Sequence, residues 1–208
     1  MSRAEPLEGT PMVRFRCLME GDCCRKYWIP IIHTDLYRLH VYGRIEVRRL
    51  VECVDLYPCD DEDRRFKPLR FGGKLAYLAL KSNDKGCIFL SRDGKCSVHG
   101  FKPLVCRFYP FLYVVREEGG VDIELNEKAV GECRGLEVDD LQIPHEIQVA
   151  LKSLAKARLR EIELWNEAAD EIAGASGDMR DKELLIKNLL RRAEADKGSL
   201  CKEGLWTV

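Results

Sequence analysis

No stretch of the chain approaches the roughly 20 apolar residues that a membrane-spanning helix needs. Its opening, MSRAEPLEGTPMVRF, lacks the apolar core of a secretory leader. These absences predict a cytoplasmic protein with no membrane contact. Excess charge of one sign is missing too: 34 Lys and Arg face 35 Asp and Glu, for a net charge of -1. That balance argues against a nucleic-acid partner. Catalytic signatures are absent, with no glycine-rich phosphate loop, no H-E-x-x-H and no G-x-S-x-G. Nothing therefore indicates a substrate. Histidine is scarce: His33 reads as structural near a helix cap, and His40 and His145 carry no signal.

Cysteine is what the chain has, ten residues in 208. A reducing compartment keeps thiols free, so metal binding is the leading explanation. The 33% of charged residues fits a surface dense in ion pairs, and intracellular proteins of hyperthermophiles can carry disulfides, which keeps that alternative open. Nine cysteines fall between Cys17 and Cys133, and only Cys201 lies beyond. Near residue 140 the composition shifts to Ala, Leu, Glu, Lys and Arg. The predicted organisation is a small cysteine-rich metal-binding domain, residues 1–140, and a helical C-terminal appendage, residues 141–208.

The fold class predicted is α+β, with short antiparallel strands and helices followed by a helical hairpin. HTDLYRLHVYG reads as a helix capped by Thr34 and ended by Gly43. RIEVRRLVECVDLY is ambiguous between helix and strand. KLAYLAL and CIFL read as strands, with turns at SNDKG and RDGK. FKPLVCRF suggests a short helix started by Pro103, and FLYVVREEGGVDIELN a hairpin turning at Gly119 and Gly120. After Pro144, Ile147, Leu151, Leu154, Ile162, Trp165, Ala169 and Ile172 share one helical face. A break at GASGD precedes a second helix, capped by Asp178 or Asp181, with Leu184, Leu185, Leu189 and Leu190 as its stripe.

The cysteine spacings are Cys17-x5-Cys23-Cys24, then Cys87-x8-Cys96-x9-Cys106, then Cys133, with Cys53 and Cys59 between. No Cys-x2-4-Cys pair of the common zinc type occurs, nor the compact ferredoxin run. Ligands would have to converge from distant segments. If the Cys23-Cys24 doublet is extended, its side chains face opposite ways and serve two metals, or one metal and the core. Arg16, Arg25, Lys95, Arg107 and Arg134 adjoin five of these seven cysteines, where chance would give about two. Neighbouring cations favour thiolate over thiol.

The motifs FxCxxxxxCCR, GCIFLSRDGKCSVHGFKPLVCRFYPF and GECRG resemble the YkgJ-type cysteine-cluster family, also called CxxCxxCC, a zinc- or iron-chelating domain, over residues 15–135. The resemblance implies that Cys17, Cys23, Cys24, Cys87, Cys96, Cys106 and Cys133 occupy the family's cysteine positions. It implies an iron–sulfur cluster or zinc, with the cluster favoured. Cys17, Cys23, Cys87 and Cys106 form the preferred core set; the other three are additional or second-site ligands. Glu20 stands where the family has its second cysteine. Its readings are an oxygen ligand, a hydrogen-bonding group behind the ligands, or a surface residue, the last two preferred. Cys53 and Cys59 fall outside the pattern, with a disulfide, an accessory pair and plain structural thiols all open. Cys201 reads as an inert or exposed thiol. His99, three residues after Cys96, could chelate, but packing is the preferred reading. Tyr27, Trp28, Phe108, Tyr109, Phe111 and Tyr113 read as core that would shield a cluster.

The functional expectation is a structural, redox or sensory metal site. The competing reading is a metal-folded accessory module in which helices 145–195 bind a protein partner, such as a methyltransferase or a motility component. Enzymatic activity is left open.

Overall fold

The computed structural model describes residues 12–60, 66–175 and 180–208. Its strands are β1 (Val13–Phe15), β2 (Val54–Pro58), β3 (Leu69–Phe71), β4 (Lys74–Leu80), β5 (Ser82–Asn83), β6 (Gly86–Cys87), β7 (Phe111–Val115), β8 (Val121–Leu125) and β9 (Leu136–Val138). Its helices are α1 (Asp22–Lys26), α2 (His33–Tyr37), α3 (Val47–Cys53), α4 (Val105–Phe108), α5 (His145–Ala175) and α6 (Lys182–Lys202). The fold is α+β, its strands short and antiparallel and its last two elements a helical pair. Among the described residues, no helix is long and apolar enough to cross a membrane.

The ambiguous RIEVRRLVECVDLY is helix and then strand. α3 ends at Cys53 and β2 begins at Val54, on the edge of a sheet ordered β2-β4-β3. KLAYLAL is the central strand β4, paired Val54↔Leu80 and Leu69↔Ala76. Leu78 and Leu80 on this sheet pack with Leu36 of α2, Leu39, and the stripes of α5 and α6. Trp165 and Ala169 of α5, and Leu185, Ile186, Leu189 and Leu190 of α6, are buried there. Leu184 departs from the expected stripe: it is 45% exposed, and Ile186 faces the core. Asp181 caps α6, its carboxylate accepting from the N–H groups of Glu183 (2.9 Å) and Leu184 (3.1 Å). Asp178 lies outside the described residues, as do residues 176–178 of GASGD.

Two other expectations need correction. Thr34 does not cap α2. Ile32 precedes the helix, and its N–H is accepted by Asp35 at 3.2 Å. The Thr34 hydroxyl instead donates to Glu161 at 2.7 Å. CIFL is not a strand throughout. Only Cys87 belongs to a strand, because the Leu90 N–H turns back to the Cys87 carbonyl at 2.9 Å; Leu90 makes a lone bridge to Cys96 as the chain closes the RDGK loop.

The gap between Leu154 and Ile162 in the α5 stripe is filled by charge. Arg158 and Glu161 are buried on that face. Arg158 reaches Asp35 at 3.1 Å, and the Arg38 guanidinium lies against Glu161 and donates to Asp35 at 3.5 Å. Nearby, buried His33 meets Asp196 of α6 at 2.8 Å. Such pairs add little net stability, but losing one member leaves a buried charge alone.

A second cluster joins Val13, Phe111, Ile123 and Ile143, with Ile147 and Leu151 of α5 packed against it. It rests on β1 paired with β9 and on the predicted hairpin β7–β8, which turns through Gly119. These strands carry the first and last cysteine segments to one place.

Candidate metal centre

The doublet sits on α1, not in extended chain, so Cys23 and Cys24 are about 100° apart around the helix rather than on opposite faces, and both line one cavity. β6 lies directly against this helix. Gly86 makes that approach possible, at φ +115° with no Cβ; a Cβ would stand 2.5 Å from the Cys24 carbonyl oxygen. Cys87 is thereby placed beside the doublet. Cys96 bridges Leu90 across the loop closed by the Ser91 N–H on the Lys95 carbonyl at 2.9 Å. Cys106 lies on α4. The Leu104 N–H just before that helix donates to the buried Asp35 carboxylate at 3.0 Å, which ties α4 to the ionic core. Beyond β1, the Arg16 N–H continues the ladder to the Gly135 carbonyl at 2.9 Å. A Cβ at Gly135 would meet the Arg16 carbonyl oxygen at 2.0 Å, so the segments of Cys17 and Cys133 touch only because residue 135 is glycine.

The result is one cavity of about 60 Å³ lined by Cys17, Cys23, Cys24, Cys87, Cys96, Cys106 and Cys133. A single water needs roughly 10–15 Å³. Glu20, Asp22, His99 and Lys102 complete its wall. Leu18 and Met19, both more than 40% exposed, stand with exposed Cys17 at its edge. Cys53, Cys59 and Cys201 are not on it. All ten cysteines lie among the described residues and none is disulfide-bonded.

The thiols are not equivalent. Cys24 hydrogen-bonds both Cys23 and Cys96, and these bonds together with burial hold its own proton firmly. Cys23 is brought down to about 7 by the Cys24 bond, against burial and with help from Lys102. Cys96 falls to about 6 for the same reason, aided by the Val98 backbone N–H and Lys102. Burial pushes Cys87 up to about 11 and raises Cys133. Cys106 is pushed well above its ordinary range by burial. Burial, then Lys102 and Arg107, keep His99 below its ordinary value. Its Nε2 lies 3.5 Å from the Cys17 Sγ.

Residues 16–134 match the family model CxxCxxCC, described as "Putative zinc- or iron-chelating domain". The chain belongs to this family. No curated protein and no solved structure matches it. The cavity's donor chemistry suits the CxxCxxCC description, because soft thiolates select zinc and iron–sulfur centres. Among the described residues, no group of three or more His, Cys, Asp or Glu side chains is drawn close enough to hold an ion as it stands.

Glu20 takes the second cysteine position of the CxxCxxCC pattern and meets a cation. Its carboxylate lies 2.6 Å from Arg134, which also holds Asp22 at 2.9 Å. The Arg134 bond brings Asp22 below the usual carboxylate range despite partial burial. This latch ties the doublet's segment to the residue following Cys133. The Arg25 guanidinium turns likewise to the Glu20 carbonyl at 2.7 Å and to Asp22 at 3.7 Å. Adjacency in sequence thus pointed to Lys95 for Cys96 and to no cation for Cys23. Lys102, next to no cysteine, is the one that lowers them, and its only sequence signal was the basic residue before Pro103. The aromatic residues also differ from plain core. Tyr27, Trp28, Phe108, Tyr109, Phe111 and Tyr113 line a second cavity of about 210 Å³ that shares Cys23, Cys106 and Tyr109 with the first.

Proposed function

We propose that the seven-cysteine cavity is a metal centre holding an iron–sulfur cluster, with redox or sensory work as its role. One observation carries this reading: Cys17, Cys23, Cys24, Cys87, Cys96, Cys106 and Cys133, and none of the other three cysteines, line a single cavity. Cys23 and Cys96 supply the first thiolates because they lose protons most readily. Cys17 and one of Cys87 and Cys106 complete a set of four donors, with Cys24 and Cys133 as alternates. Ligation draws these sulfurs inward and releases their protons. Bound there, a cluster would supply one-electron chemistry. Lys102 offsets the negative charge of the thiolates, and Tyr27, Phe108 and Tyr109 give Cys23 and Cys106 a largely apolar surround. Zinc is the other occupant that thiolate donors accept.

A purely structural role is less well supported. The main core closes on its own apolar residues, from Ile31 and Leu36 to Trp165 and Leu189. That core gives the chain a reason to fold without metal, unlike small domains that unfold when their metal is removed. The partner-binding reading of helices 145–195 draws no support from the packing, since most of their apolar stripe faces the core. Chelation of purified protein tests the role. Helical circular dichroism should persist after the metal is removed; its collapse would favour the metal-folded module.

A further inference from the structure

Two features of the cavity wall, 79 residues apart, belong together. At position 20 the chain lacks the sulfur that the CxxCxxCC pattern carries, and its Glu20 carboxylate is taken up by Arg134 at 2.6 Å. At position 99 it places an imidazole on the same wall, with Nε2 3.5 Å from the Cys17 Sγ. We propose that His99 is a metal ligand, giving a mixed sulfur–nitrogen centre in which His99 and Cys17 bind the same ion. This rests on the metal-centre reading above.

The distance agrees with that assignment. Bonds of about 2.3 Å to sulfur and 2.0–2.1 Å to nitrogen, at a tetrahedral angle, set the two donors about 3.5–3.6 Å apart. A thiol–imidazole hydrogen bond has a similar length, so a measurement must separate the two. His99 opens the 3-10 turn His99–Phe101, and the His99 N–H bonds the Cys96 carbonyl at 3.3 Å, so the ring and the Cys96 thiol are carried by one short loop. Imidazole and thiolate regularly share one ion in Cys3His and Cys2His2 zinc sites. Exchanging a thiolate for neutral imidazole also makes the centre one unit less negative.

The test is X-ray absorption on the full chain, both with the metal it carries after anaerobic purification and loaded with zinc. The expected result is a light-atom shell at about 2.0–2.1 Å with the outer-shell pattern of imidazole. That pattern should vanish in His99→Ala, give way to sulfur in His99→Cys, and survive in Glu20→Gln. Zinc should bind at least about tenfold more weakly to His99→Ala, and His99→Cys should recover most of that loss. Circular dichroism of both variants checks the fold. An all-sulfur shell, or a light-atom shell unchanged in His99→Ala, overturns the proposal and leaves the metal centre standing. Failure of the wild-type chain to bind any metal overturns both.

Discussion

Two regions of this molecule bury polar groups, and they treat them in opposite ways. Beneath α2, α5 and α6, Asp35, Arg38, Arg158 and Glu161 satisfy one another inside the chain. In the cavity, seven thiols share a wall with Lys102; burial first, then their mutual repulsion, keeps Cys87 and Cys106 protonated. The first arrangement is closed and explains stability. The second is open and makes chemical sense when a cation joins it. One link between them is Asp35, which accepts the Leu104 N–H just ahead of Cys106.

The largest effect should come from breaking the closed region. Asp35→Ala leaves Arg38 and Arg158 without their shared carboxylate and should cost about 3–5 kcal/mol of unfolding free energy. Urea denaturation measures it, with or without chelator. Cys23→Ser should do the reverse, costing far less stability in the chelated protein while losing metal. Equal destabilisation by both would erase the distinction between the regions.

Metal itself is the next lever. Saturating the cavity at 100 times the dissociation constant should stabilise the chain by about 2.7 kcal/mol, read as a rise in thermal midpoint reversed by chelator. Gly86→Ala comes after it. The strained φ and the contact with the Cys24 carbonyl should cost about 1–3 kcal/mol and reduce metal stoichiometry, because β6 can no longer rest on α1. Full stoichiometry in that variant would show that this contact does not position Cys87.

How much of this was readable follows from the range of each interaction. Hairpin β7–β8, strand β4, the Asp181 cap and the seven cysteines on one cavity are all marked by local patterns or by the motif. The Thr34 cap failed because Asp35, one residue along, took the turn while Thr34 was drawn to Glu161, 127 residues away. The charged gap in the α5 stripe looked like missing hydrophobicity; its partners lie on α2. Glu20 was legible as an oddity but not as a latch, since Arg134 lies far along the chain. The doublet was misread because a single helical turn leaves too short a pattern to separate from extended chain.

Thiol reactivity sharpens the contrast within the open region. In chelated protein, alkylation should begin at about pH 6 to 7, Cys96 ahead of Cys23, because the single Cys24 S–H stabilises the first thiolate of the pair as pH climbs. Cys87 should stay unlabelled until pH nears 11. Mass spectrometry of the labelled peptides reads this directly, and one shared profile at the free-thiol value would refute the Cys24 bridge. The smallest effect belongs to the exposed latch: Glu20→Gln should barely move the thermal midpoint and should leave metal content intact.

The central claim is that the seven-thiol cavity is a metal centre. Metal analysis of anaerobically purified full-length protein, with its absorption and paramagnetic resonance spectra, tests it most directly. The account predicts stoichiometric iron with broad visible absorbance, lost in Cys23→Ser and Cys106→Ser. Colourless protein with stoichiometric zinc would change the occupant. Protein with no bound metal, or with metal that persists in both variants, would contradict the account.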